Sequence, residues 1–127
     1  MIIDHVQFAV KNIEDTVDFY RDHFDFEIVD IGLRCNNRWC IIKHPEYEVA
    51  LCMIEEKDFI SARSDGEQIY HFGLVVDDFI GIRNKLKKSV KIEPENSLAL
   101  YDKSSSFYFY DINGYKIEIS EKLCGGL

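Results

Sequence analysis

The chain has 127 residues, 46% of them apolar and 30% charged, enough for one domain with a real core and short for two independent ones. With 15 basic against 23 acidic side chains its net charge is −8 and its pI about 4.9. That balance excludes a nucleic-acid binder, which needs a basic face to displace counterions, and gives no support to an anionic membrane surface. The first residues have no signal-peptide shape and no apolar run approaches a membrane span. The four cysteines, Cys35, Cys40, Cys52 and Cys124, lack zinc-like spacing, so a reduced, cytoplasmic protein is expected.

In chain order, "DHVQFAV" (4–10) predicts a strand opened by His5. A helix follows in "KNIEDTVDFYRDHFDF", with Ile13, Val17, Tyr20 and Phe24 at helical spacing and Asn12 as N-cap. Three extended pieces come next, "FEIVDI" (26–31), "RWCIIKH" (38–44) and "EVALCMI" (48–54). Residues 55–68 are polar and read as a linker. "YHFGLVV" (70–76) is a second strand opened by a histidine, His71, and "DDFIGIRNKLKKSV" a second helix, capped by Asp77 or Asp78. "VKIEP" (90–94), "SFYFYD" (106–111) and "YKIEIS" (115–120) close the chain as strands, and 96–106 is a polar loop and a plausible lid.

The two halves repeat. Laid at an offset of 66, His5 falls on His71, Phe8 on Leu74 and Val10 on Val76. Both halves then read strand, helix, strand, strand, strand. The expected class is α+β, two βαβββ modules at about 1–54 and 69–121 in one compact unit. Strand alternation puts Val6, Phe8 and Val10 toward the first helix and His5, Gln7 and Ala9 on the other face. It likewise sets Phe72, Leu74 and Val76 against His71, Gly73 and Val75, and Ile117 and Ile119 against Glu118. Both histidines and Glu118 thus lie off the helix-packed core. Two imidazoles and a carboxylate on strands suit a divalent metal with open positions. The ordinary alternative is a pair of hydrogen-bonded strand histidines and a solvated glutamate.

"DFYRDHFDF" (18–26), "YHFGLVV" (70–76) and "FYFYDINGYKIEI" (107–119) together resemble the vicinal oxygen chelate superfamily, the glyoxalase, bleomycin-resistance and extradiol-dioxygenase relatives. The resemblance spans nearly the whole chain. It implies paired modules curling into a half-open barrel around a divalent ion (Mn, Fe, Ni or Zn) held by His5, His71 and Glu118. It also implies a symmetric homodimer, with module one of one chain meeting module two of its partner. Asp25 stands where the family usually has Gly, and Ile112 where it has Pro. Glyoxalase I carries a further carboxylate in module one; here Ala50 takes that place, or Cys52 after a slip of two. Neither is a carboxylate, so the expected proton-transferring base is lacking.

The remaining candidates are graded by parity. Of the aromatic set Tyr101, Phe107, Tyr108, Phe109 and Tyr110, strand alternation sends about half to the core, with stacking on an aromatic substrate as the functional alternative; Tyr108 and Tyr110 share a face and are candidate proton donors. Gln7, Cys52 and Lys103 are candidate substrate contacts. Arg34, Arg38 and Lys103 are surface charges by default and anion holders as the functional alternative. Trp39 reads as a core or dimer contact, with a binding platform as the functional alternative, and His23 and His44 read as surface residues. The function expected is a metal-dependent enzyme on a small substrate: lyase or isomerase, ring-opening transferase of the fosfomycin-resistance type, or extradiol dioxygenase. The alternative is a metal-free protein that sequesters a small molecule.

Overall fold

The computed structural model describes residues 5–61, 71–100 and 104–122. The chain divides after Ser61 into two compact units. The first contains β1 (His5–Val10), α1 (Ile13–Phe24), β2 (Glu27–Arg34), β3 (Asn37–Lys43) and β4 (Ala50–Glu55). The second contains β5 (Phe72–Val75), α2 (Phe79–Leu86), β6 (Ile92–Glu93), β7 (Ala99–Leu100), β8 (Ser105–Tyr110) and β9 (Lys116–Ser120).

Each unit is a mixed sheet with a helix. In the first the order is β1-β4-β3-β2, with β1 parallel to β4 and the rest antiparallel. In the second it is β5-β9-β8-β6, with β5 parallel to β9. β6 and β7 lie end to end along the outer edge of β8. The fold class is therefore α+β with two βαβββ units, as the repeat predicts. β7 is the addition: the stretch expected to be an irregular loop carries a two-residue strand, because Ala99 and Leu100 pair with Ser106 and Ser105.

Local chemistry explains both helices. Asn12 is extended and its Oδ1 accepts from Asp15 N at 2.8 Å, the usual N-cap geometry. α1 ends at Asp25, whose φ of 57° puts it in the left-handed region that a short polar side chain tolerates. α2 is capped by Asp78, which accepts from Gly81 N at 3.0 Å. Ile13, Val17, Tyr20 and Phe24 of α1 are buried, as are Phe8, Val10, Cys40, Ile42, Leu51 and Met53 from the sheet face of that parity. In the second unit Phe107, Phe109, Ile117 and Ile119 are fully buried, with the Phe79 ring 5.3 Å from that of Phe107.

Several expectations need correction. β5 is less sharply divided than its parity predicts, since Phe72, Leu74 and Val75 are all half-buried. β4 runs through Glu55 and Phe59 is buried, so the stretch read as linker begins as ordered, partly buried chain. Residues 62–68 of that stretch lie outside the described residues, as do Lys103, Tyr101 and Cys124. His23 and His44 are half-buried rather than simply exposed. His23 Nδ1 lies 2.9 Å from Phe19 O with its ring stacked on Phe19, and His44 packs between Phe26 and Tyr47.

Candidate functional site

The repeat is carried into the hydrogen-bond ladders. In the first unit Val6 pairs with Leu51 and Gln7 with Cys52. In the second, Phe72 pairs with Ile117 and Gly73 with Glu118. Both partners of each pair are displaced by the same 66 residues. The register decides between the two candidates for the position equivalent to Glu118. It is Cys52; Ala50 pairs with His5 and corresponds to Lys116.

The second unit carries a polar row on its open face. His71 Nε2 lies 2.9 Å from Glu118 Oε2, with side chains 30% and 17% exposed, so both are reachable by a small ligand. Gly73 faces Glu118 across the ladder, and a side chain there would add no more than ordinary contact with the Glu118 Cβ, 3.9 Å away. The other carboxylate oxygen, Oε1, accepts from Ser120 Oγ at 3.3 Å, and Ser120 Oγ is 3.2 Å from Ser106 Oγ. This chain of hydroxyls holds the carboxylate plane. Tyr108 pairs with Glu118 on the neighbouring strand, and its ring meets His71 edge-on at 5.6 Å between centroids. Lys116 Nζ sits 4.9 Å from the centre of the same ring. Tyr110 shares this parity and is half-buried. Strand alternation thus brings His71, Glu118, Tyr108 and Tyr110 to one face, while Phe107 and Phe109 enter the core.

The equivalent face of the first unit is apolar. A cleft of about 850 Å³ opens there, with His5, Gln7 and Cys52 in its floor and Ile41, Ile54 and Trp39 in its wall. His5 and Gln7 are exposed and Cys52 half-buried. Trp39 is half-buried. Its indole lies over Gly32, where a Cβ would fall 2.6, 2.8 and 3.0 Å from three ring atoms. Tryptophan and glycine thus form a cross-strand pair, the glycine giving the ring its seat. Arg34 lines the rim. Arg38, the other arginine considered for anion binding, is engaged elsewhere. It pairs with Glu14 and lies 3.4 Å from Glu55, whose carboxylate accepts from Ile13 N at 2.9 Å. The hydrogen bond from Arg38 lowers the Glu14 carboxyl below its ordinary value. These groups tie the α1 N-terminus to β3 and β4.

Within each unit, no three described His, Cys, Asp or Glu side chains are gathered closely enough to enclose an ion. The donor chemistry of the second unit nevertheless fits one. His71 Nε2 and Glu118 Oε2 make a direct ion-pair contact at 2.9 Å, and an imidazole nitrogen and a carboxylate oxygen are donor types that a divalent ion takes.

Comparison with known proteins agrees with the repeat. The family description "Glyoxalase/Bleomycin resistance protein/Dioxygenase superfamily" matches residues 2–119. No curated protein matches the chain. Among solved structures, a glyoxalase family protein from Enterococcus faecalis is 22% identical, with a TM-score of 0.74 over 94% of this chain and 97% of that one. The fosfomycin resistance protein FosX from Mesorhizobium loti is 18% identical, with a TM-score of 0.70 over 98% and 95%. TnmS3, an antibiotic binding protein from Streptomyces sp. CB03234, is 15% identical, with a TM-score of 0.72 over 94% and 93%. At these identities the likeness is one of fold. No helix among the described residues is long and apolar enough to cross a membrane.

Proposed function

This chain belongs to the glyoxalase/bleomycin resistance protein/dioxygenase superfamily, and from that membership we propose that it is a metal-dependent enzyme whose divalent ion is held by His5, His71 and Glu118. The observation that carries this reading is the contact of His71 Nε2 with Glu118 Oε2 at 2.9 Å, which brings an imidazole nitrogen and a carboxylate oxygen, two donor types for a divalent ion, together on one face. The 66-residue register repeat, which gives His5 and His71 the same position, supports the third donor. Bound there, the ion supplies Lewis-acid polarisation of a substrate oxygen and stabilises an oxyanion, enolate or alkoxide. Ser120 and Ser106 hold the Glu118 carboxylate in one plane. Tyr108, beside His71, is the group placed to pass a proton to a substrate oxygen. Gln7 and Cys52 contact the substrate. The chemistry is of the lyase, isomerase or ring-opening transferase type, the last being the kind that fold likeness to a fosfomycin resistance protein brings to mind. The active species is a symmetric homodimer in the cytoplasm, with His5 from one chain and His71 and Glu118 from its partner.

Metal analysis of protein purified without chelator or metal-binding tag tests the reading. About one divalent ion per chain is expected, falling at least ten-fold in His5→Ala, His71→Ala and Glu118→Gln. Full metal content in the single variants overturns it. A second reading, a metal-free protein that sequesters a small molecule, is favoured by the apolar cleft of the first unit. It requires ligand binding that is indifferent to all three substitutions.

A further inference from the structure

The cleft of the first unit has a composition unlike that of the chain around it. The protein has 23 acidic side chains against 15 basic ones, yet no described residue lining this cleft is an aspartate or glutamate. Its walls are Trp39, Ile41, Ile54 and Leu33, and its charge is that of Arg34. The Arg34 guanidinium has no hydrogen-bond or ion-pair partner among the described residues, whereas Arg38, close by in sequence, is tied to Glu14 and Glu55. Trp39 is held against Gly32 from one side, so its indole is a fixed surface. A rigid aromatic surface costs little conformational entropy when a flat molecule packs on it. An arginine without a carboxylate partner offers a planar fork to an anion. The volume of about 850 Å³ takes a ring system of drug-like size.

We infer that the molecule taken by this cleft is a flat aromatic or polycyclic compound carrying a carboxylate or comparable anionic group, its ring on Trp39 and its anion at Arg34. The inference deepens the proposed function by naming the class of substrate, and rests on that reading only in treating the His5 face as part of the reaction site. It requires no metal to be tested.

Trp39 is the only tryptophan of the chain, so its emission reports on the cleft alone. Metal-free protein is titrated with 2-naphthoate, 2-naphthamide and heptanoate, following emission for the first two and equilibrium dialysis for all three. Naphthoate should quench Trp39 and bind at least ten-fold more tightly than either comparator. Arg34→Gln should bring naphthoate to the level of naphthamide and leave naphthamide unchanged. Raising salt from 50 to 500 mM should weaken naphthoate and heptanoate and leave naphthamide unchanged. Trp39→Leu, read by dialysis, should weaken both naphthalene ligands at least ten-fold and leave heptanoate unchanged. Gly32→Ala, which displaces the indole without removing it, should act in the same direction, so the ring is tested even if Trp39→Leu does not fold. Equal binding of acid and amide, no binding of naphthoate, or an Arg34→Gln protein that keeps the preference overturns the inference. Metal content of the same variants separates the two claims. Failed naphthoate selectivity with metal binding intact removes the substrate class and spares the metal site; selective binding without metal uptake does the reverse.

Discussion

Burial pushes the Cys40 thiol up from an ordinary value near 9.0 to about 11. Cys40 is fully buried, packed among the apolar residues between α1 and the sheet. The sign of the consequence follows from proton binding. Below pH 9 both folded and unfolded thiols are protonated and the contribution is fully present. Between pH 9 and 11 the unfolded thiol ionises and the folded one does not, so stability falls by about 2–3 kcal/mol. Urea unfolding at pH 8 and pH 11 measures it, and a Cys40→Ala protein, although less stable throughout, should lose correspondingly less over that interval. Cys52 raises a chemical question instead. It occupies the position equivalent to Glu118, so the first unit has no carboxylate where a glyoxalase I would carry its base. Turnover of methylglyoxal with glutathione should therefore be weak or absent, and Cys52→Glu should raise it above the wild-type level in an initial-rate assay of the metal-loaded protein. Robust wild-type turnover would mean that another group supplies the base.

At the scale of elements, α1 shows what the sequence makes legible. Asn12, the Ile13–Val17–Tyr20–Phe24 stripe and Asp25 are short-range signals, and each acts in the structure as its chemistry dictates. Asn12→Ala should cost about 1 kcal/mol in equilibrium unfolding, the usual worth of an N-cap, because it leaves Asp15 N without its acceptor. A second anchor at the same helix end was not legible. Glu55 accepts from Ile13 N across 42 residues of chain and is itself held by Arg38, so nothing near either residue announces it. The hairpin at Cys35 and Asn36 was equally hidden. Both residues have positive φ, 49° and 65°, in a turn that usually advertises itself with glycine. β7 escaped because a two-residue strand has no period. The site divides in the same way. Strand parity placed His5, His71, Glu118, Tyr108 and Tyr110 on open faces, since alternation is local. It did not seat Trp39 in the cleft wall, because that depends on the glycine opposite it in the β2–β3 register.

At the scale of the whole molecule, the two units differ in kind. The open face of the second is polar, with His71, Glu118, Tyr108 and Lys116, while that of the first is apolar with one rim cation. A metal-dependent site built from His5 on one unit and His71 with Glu118 on the other needs both, and the proposed homodimer takes them from different chains. That proposal has a quantitative consequence. His5→Ala and Glu118→Ala proteins are each expected to lose metal. Unfolded together in equal amounts and refolded, they should give mixed dimers as about half of the population. If the site is shared between chains, each mixed dimer contains one site with both defects and one wholly intact site. About a quarter of wild-type metal binding should then return, because half of the dimers carry an intact site in one of their two positions. If each site is instead drawn from a single chain, every site in every dimer keeps one defect. Metal content of the refolded mixture would then equal that of the separate variants, and the shared-site assembly would have to be abandoned while the three-ligand proposal stood.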